Sequence, residues 1–303
     1  MGAVTRTTPT VSVLIPAYNY GHFVAQAIDS ALGQTRLPLE VIVVDDGSTD
    51  DTPRVLAAYV DRIRILRRHN GGVSRALNVA ARQSRGDVLA FLDADDRWLP
   101  AKLERQVERL VADSNLGLVH CGVEEIDGSG NFLRSRLDGI EGDAAEALLM
   151  MRAGILGGGS AAIVPRGVFE EVGGFDPEIS VSQDWDLFFR IASRHRIGFV
   201  PEALVQYRLH GGNQHLKVRR MEADMLRAFE KAFSVPNTRF AKLRRRAYGA
   251  LHAMLAGSLF HGGYYRSFAA HAARSLALTP EHSGRLLGFP LRALRRRTFT
   301  PHR

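Results

Sequence analysis

Three short apolar runs, each ending abruptly in polar residues, constrain this chain more than any other feature. Thr10 to Pro16 reads TVSVLIP and gives way to Ala17-Tyr18-Asn19. Glu40 to Val44 reads EVIVV and stops at Asp45-Asp46-Gly47-Ser48, and Asp87 to Leu92 reads DVLAFL and stops at Asp93-Ala94-Asp95-Asp96. Unbroken apolar and β-branched runs of this length predict strands buried on both faces, as in parallel sheets. Phe23 to Leu32 has helical spacing, a second helix is expected from about Thr52, and a third from about Ser74 to Gln83. Arg62-Ile63-Arg64-Ile65-Leu66 supplies a further strand. Strands alternating with helices predict an α/β fold with right-handed crossovers, in which ligands bind at the carboxyl ends of the strands. The three polar run-outs therefore belong to one binding edge.

With 303 residues, 45% of them hydrophobic, the chain has material for one large α/β domain and a smaller appendage. A single cysteine, Cys121, excludes an intramolecular disulfide and fits a reducing compartment; its setting, Leu118-Val119-His120-Cys121, predicts a buried structural thiol. Met1 to Thr10 lacks the apolar core of a signal peptide, and no run approaches the ~18 apolar residues of a membrane span, so a cytoplasmic protein is expected.

The formal net charge of +8 is unevenly distributed. Residues 211–303 hold 18 of the 40 Lys/Arg but only 4 of the 32 Asp/Glu, which leaves the first 210 residues net acidic. The change follows Tyr207-Arg208-Leu209-His210, after which the chain is basic, alanine-rich and helical in pattern. The expected division is residues 1–210 as one domain and 211–303 as a helical region, with a helical hairpin over 250–277 around Gly262-Gly263. Before the boundary, Gly157 to Gly174 is glycine-rich around a short strand from Ala161 to Val164. Asp184 to Ser193 then reads as an amphipathic helix opening with acids, as the helix dipole favours.

Acids crowded at the end of a buried strand repel one another unless a cation neutralises them. Asp93, Asp95 and Asp96 suit a divalent cation such as Mg²⁺ or Mn²⁺ together with phosphate oxygens, and an acidic domain that binds a diphosphate needs that charge. The other reading is a helix cap, since a helix is expected from Lys102. Asp45 and Asp46 pose the same choice between turn caps and hydrogen bonds to a base or ribose. Asp184 is either a catalytic base or an N-cap. Asp186, two positions on, points to a different side of the helix.

Five segments in order resemble family 2 glycosyltransferases of the GT-A fold: VSVLIPAYN (11–19), VVDDGSTD with Asp45 to Asp50 as its core, NGGVSRALN (70–78), RGDVLAFLDADD (85–96) and GGFDPEISVSQDWDLFFRIA (173–192). They span roughly the first 210 residues. The resemblance implies a GT-A, Rossmann-like fold with a mainly parallel central sheet. It also implies inverting transfer of a sugar from a nucleoside diphosphate sugar, a UDP-sugar by expectation, to a saccharide or lipid-linked acceptor. Pro16, Ala17, Tyr18, Asn19, Asp45, Asp46, Arg75, Asn78, Asp93 and Ala94 would line the nucleotide sugar. Asp95, with Asp93 and Asp96, would hold Mn²⁺ or Mg²⁺; His210 matches a position that approaches the metal in some relatives, or else it ends the domain. Asp184 matches the catalytic base. The family often has Glu before that base, where this chain has Gln183, which bears on acceptor preference or on the tuning of Asp184. Synthesis of cell-surface polysaccharide or glycolipid is the role expected from the resemblance, with a catalytically silent sugar-nucleotide-binding protein of the same fold as the alternative.

Arg244-Arg245-Arg246 and Arg295-Arg296-Arg297 lie among apolar residues. Solvated helix faces are one reading. Docking on an anionic membrane, as at the inner face of the plasma membrane, is the other, since apolar side chains can insert beside the cations. No stacking motif or nucleic-acid module is present, so no nucleic-acid partner is expected. No GxGxxG follows the first strand and no phosphate loop occurs, which disfavours dinucleotide oxidoreductases and P-loop hydrolases. Acceptor choice is assigned to residues 120–160 and 175–183.

Overall fold

The computed structural model of the chain describes residues 8–152, 154–211, 217–234, 238–284, 286 and 288. The first part alternates as the apolar periodicity requires: β1 (Val11–Ala17), α1 (Val24–Leu32), β2 (Glu40–Asp45), α2 (Thr52–Ala57), β3 (Arg64–Arg67), α3 (Val73–Gln83) and β4 (Val88–Phe91). These four strands are parallel, in the order β3-β2-β1-β4, and every residue of β1 is buried. Burying such Val, Leu and Ile side chains contributes roughly 1.5–3 kcal/mol each. Because the registers pair Ala17 with Asp45 and Leu14 with Phe91, the strand ends emerge together on one edge.

The sheet then changes character. It continues through β5 (Arg97–Trp98), α4 (Lys102–Ala112), β6 (Leu116–Asp127), β7 (Phe132–Arg136), α5 (Ala145–Leu149), a 3-10 turn (Gly158–Ala161), β8 (Ile163–Pro165), α6 (Arg166–Glu171), α7 (Gln183–Ala192) and β9 (Arg196–Leu209). β8 runs antiparallel to β4 and β6, β9 runs parallel to β6, and β5 and β7 pair antiparallel with β9 and β6. The segment expected as a strand from Ala161 is instead a tight turn that ends at Ala161, with the strand starting two residues later. Neither long strand, β6 or β9, was expected from the sequence patterns.

Cys121 is buried, and its thiol is pushed up to about 11 by that burial. Beside it, Lys102 is fully buried at the first turn of α4. Its Nζ lies 3.9 Å from the Trp98 ring centroid and has no hydrogen-bond partner among the described residues.

The chain divides into two compact units, Met1–Ala145 with Gly154–Gly211, and Glu146–Ala153 with Gly212–Arg303. The second unit contains α8 (Val218–Ser234), α9 (Thr238–Ala241), α10 (Arg244–His261) and α11 (Tyr265–Leu278). α10 and α11 form a hairpin about Gly262-Gly263, closed internally by a 2.9 Å contact between the Nδ1 atoms of His252 and His271. Among the described residues no helix is long and apolar enough to cross a membrane. Arg295-Arg296-Arg297 lie outside the described residues.

Candidate active site

The loop after β4 gathers the acids. Asp93, Asp95 and Asp96 each offer a carboxylate oxygen, and these oxygens all lie within 4.8 Å of one another. The cap reading does not hold for them, because α4 begins at Lys102 with Ala101 as its N-cap. Burial and the charge of Asp184 push Asp93 well above the usual carboxylate range. Burial and Asp95 do the same to Asp96, only partly offset by Arg208. Asp96 Oδ1 accepts the Arg208 backbone N–H at 2.8 Å, whereas its Oδ2 is buried with no hydrogen-bond partner among the described residues. Three clustered carboxylates with an orphaned oxygen form a hard-oxygen donor set, which fits Mg²⁺ or Mn²⁺.

β9 delivers the next layer. His210 Nε2 lies 2.9 Å from Asp95 Oδ2, and its ring packs against Phe23 and Tyr20. Arg208 is buried; its Nε donates to the Asp95 carbonyl, Nη2 to Gln26 Oε1 and Nη1 to the Gly128 carbonyl, while the guanidinium lies over the Phe23 ring. The Tyr20 and Tyr207 hydroxyls are raised by burial and by the facing carboxylates, which for Tyr207 include Asp184.

Asp184 stands at the start of α7, where Ser182 is the N-cap residue and no side chain bonds as a cap. Its carboxylate instead accepts the Gly159 N–H at 3.2 Å. Enclosure raises it to about 6, against the pull of that hydrogen bond. Asp186 points elsewhere and pairs with Arg190 at 2.6 Å, as the helical angle requires. One carboxylate of α7 therefore opposes the cluster, in a state suited to taking a proton near neutral pH.

The β1 and β2 ends form the other wall. Pro16 and Ala17 are buried, while Tyr18 is 44% exposed. Asn19, with a left-handed φ of 60°, accepts the Thr49 N–H, and its own N–H donates to Ser48 Oγ. Asp45 accepts the Ser48 N–H at 2.8 Å and lies 3.4 Å from Arg67 Nε, so it does brace the turn. Asp46 accepts the Gly71 and Gly72 N–H groups and pairs with Arg68 at 3.2 Å. Ala94 is buried between the cluster acids.

Arg75 and Asn78, expected near the nucleotide or its diphosphate, both contact the segment that leads to Asp184. The Asn78 side chain donates to the Phe175 carbonyl at 2.7 Å and accepts the Phe175 N–H at 3.0 Å, and Arg75 pairs with Glu178 at 3.2 Å. Both residues of α3 thereby seat the segment leading to Asp184. Sequence reasoning missed Tyr20, Arg67, Arg68, Ser160, Tyr207 and Arg208. For Arg208 a signal existed, a charged residue inside an otherwise half-apolar run, but its burial was not readable.

The model for a family described as "Glycosyl transferase family 2" matches residues 12–173. A glycosyltransferase of Rickettsia felis is 34% identical over 230 residues, 72% of this chain and 37% of the relative. Chondroitin synthase of Escherichia coli is 28% identical over 249 residues, 81% of this chain and 35% of that protein. The chain thus spans little more than a third of the length of these relatives. A mannosyltransferase from Pyrobaculum calidifontis, solved with GDP-Man and Mn²⁺, superposes with a TM-score of 0.63 at 24% identity, covering 95% of this chain and 84% of that one, which shows the shared GT-A fold.

Proposed function

Because this chain belongs to glycosyl transferase family 2, we propose that it moves a sugar from a nucleoside diphosphate sugar to an acceptor hydroxyl, with inversion at the anomeric carbon and Asp184 as the base. The observation that carries the reading is the opposition of Asp184 to the Asp93–Asp96 cluster, close enough for the Asp184 charge to raise Asp93. A lone base facing a cation site suits a single displacement in which no covalent intermediate is needed.

Asp93, Asp95, Asp96 and His210 are the residues that would hold Mg²⁺ or Mn²⁺. When bound, the cation supplies positive charge to the departing diphosphate. Asp184 accepts the proton of the acceptor hydroxyl as that oxygen forms its bond to the anomeric carbon. Pro16, Tyr18, Asp45 and Asp46 bound the base and ribose of the donor. Arg67 and Arg68 hold the two strand-end carboxylates in place before the donor arrives. Arg208 fixes the loop carrying Asp95 and Asp96 through its bonds to both residues.

A thermal-shift panel of nucleoside diphosphates, with and without Mn²⁺, identifies the donor base. UDP is the expected ligand, although the mannosyltransferase with the same fold was solved with GDP-Man. Asp184→Asn then abolishes transfer while leaving metal-dependent nucleotide binding measurable. Full activity in that variant removes Asp184 from the role.

Residues 1–210 are proposed as the catalytic domain and the basic helical region as a contact for an anionic membrane carrying a lipid-linked acceptor, at the cytoplasmic face. The exposed Arg245 and Arg246 at the start of α10 support it. Assembly of a surface polysaccharide or glycolipid follows from such an acceptor. Liposome co-sedimentation of the full chain on anionic and neutral vesicles tests the contact, and equal binding to both rejects it.

A further inference from the structure

The turn at Gly157 to Ser160 takes no part in the chemistry above, yet it touches both halves of the site. On one side, Gly159 N–H donates to Asp184 Oδ2 at 3.2 Å. On the other, Ser160 Oγ accepts the Asp93 N–H at 3.0 Å, and the Ser160 side chain is fully buried. Ser160 also faces Asp96 and partly offsets the burial that raises that acid. Asp93 and Asp184 lie 67 and 25 residues from their partners in the turn, so this short segment ties together two acids that are distant in sequence.

The backbone explains why the segment reads Gly-Gly-Gly-Ser. Gly157 and Gly158 have φ of 63° and 53°, in the left-handed region that favours glycine. A Cβ at Gly158 would stand 2.9 Å from Asp184 Oδ2, and one at Gly159 would stand 3.3 Å from Asp184 Oδ1. The carboxylate occupies the space that two missing side chains leave. Two hydrogen bonds secure the turn to the core, Trp98 Nε1 to the Ser160 carbonyl at 2.8 Å and Gln106 Nε2 to the Ala161 carbonyl at 2.8 Å, and the Ala162 N–H closes the turn on the Gly159 carbonyl at 2.9 Å.

We infer that Gly157 to Ser160 form a positioning turn that sets the distance between the proton-accepting carboxylate of Asp184 and the cation-binding acids Asp93 and Asp96. The inference rests on the transferase reading of those acids. Ser160 acts through Asp93 and Asp96, and Gly158 and Gly159 act through Asp184, which makes them positioning residues. Small displacements of a base cost rate with little effect on ground-state binding, whereas loss of an outer hydrogen bond that fixes the backbone of a metal-binding residue weakens the metal.

The two ends of the turn therefore fail differently. Mn²⁺ binding is read from the free-ion electron paramagnetic resonance signal, and kcat and KM are measured with the sugar nucleotide that wild type turns over. Ser160→Ala is expected to weaken Mn²⁺ binding about tenfold. Gly158→Ala is expected to lower kcat about tenfold, with KM and Mn²⁺ affinity within about twofold of wild type. Should the left-handed position prevent Gly158→Ala from folding, Gly159→Ala, which needs no positive φ, is expected to show the same split in smaller measure. Equal Mn²⁺ weakening in Ser160→Ala and Gly159→Ala, or unchanged kcat in Gly159→Ala, overturns the inference while the transferase reading stands. Absence of turnover by wild type with every donor overturns both.

Discussion

Replacing Lys102 by Met tests the energetics of the core around α4. The lysine is completely buried, its ammonium rests on the Trp98 ring, and burial lowers its pKa from 10.5 to about 7. Below pH 7 the amine is charged in both the folded and unfolded chain, and the folded state carries the full burial penalty. Between pH 7 and 10.5 only the unfolded chain holds the proton firmly, so stability rises with pH by up to about 1.4 kcal/mol per unit. The penalty is then about 4 kcal/mol at pH 7 and about 2 kcal/mol at pH 9. Lys102→Met removes it but fits the cavity imperfectly, at a cost of about 1.5 kcal/mol; the contact of the charged amine with Trp98 acts only on the charged form and is already contained in the folded pKa. A net gain of about 2 kcal/mol at pH 7 is expected, shrinking toward zero by pH 9. Both tryptophans, Trp98 and Trp185, lie in the first unit, so urea unfolding followed by their fluorescence at pH 6, 7, 8 and 9 reports on this core. A variant less stable than wild type at pH 7, or a difference that does not change with pH, would refute the reasoning.

Two further outcomes follow from the site. If Asp184 is the base, it must be ionised, so kcat/KM should climb as pH rises through about 6 and level off above it; a rate flat between pH 5 and 7 rules the assignment out. Asn78→Ala strands the Phe175 N–H and carbonyl, with an expected cost of about 1–3 kcal/mol. The melting temperature should fall and kcat should drop more than nucleotide affinity, while a variant that loses nucleotide binding at unchanged melting temperature would return Asn78 to the donor pocket.

The parallel half of the sheet was readable because β1, β2 and β4 are buried on both faces, which leaves an unbroken apolar signal in each run. Their acidic ends were readable for a related reason: carboxylates stand out where a buried apolar strand stops, although spacing alone did not separate a turn cap from a ligand site. β6 and β9 were not readable. Their runs mix Glu124, Glu125, Gln206 and Arg208 with apolar residues, and Pro201 interrupts the second. The resemblance located Arg75 and Asn78 but not their present partners, since a polar side chain can serve backbone or ligand equally well and only the neighbouring chain decides which.

By itself, the sequence determined the α/β alternation, the common edge of the strand ends and the family resemblance, and it singled out Asp45, Asp46, Asp93, Asp95, Asp96 and Asp184 as candidates. These are local properties, set by side-chain period and by where a strand must end. The tertiary structure decided how those acids are used. It bent Asp45 and Asp46 onto Arg67, Arg68 and loop N–H groups, carried His210 across 115 residues to Asp95, and buried Arg208 and Lys102. It also laid the Gly157 to Ser160 turn between Asp184 and Asp93. Hydrogen-bond satisfaction and desolvation depend on which distant segments meet, and neither is encoded in the spacing of residues along one strand or helix.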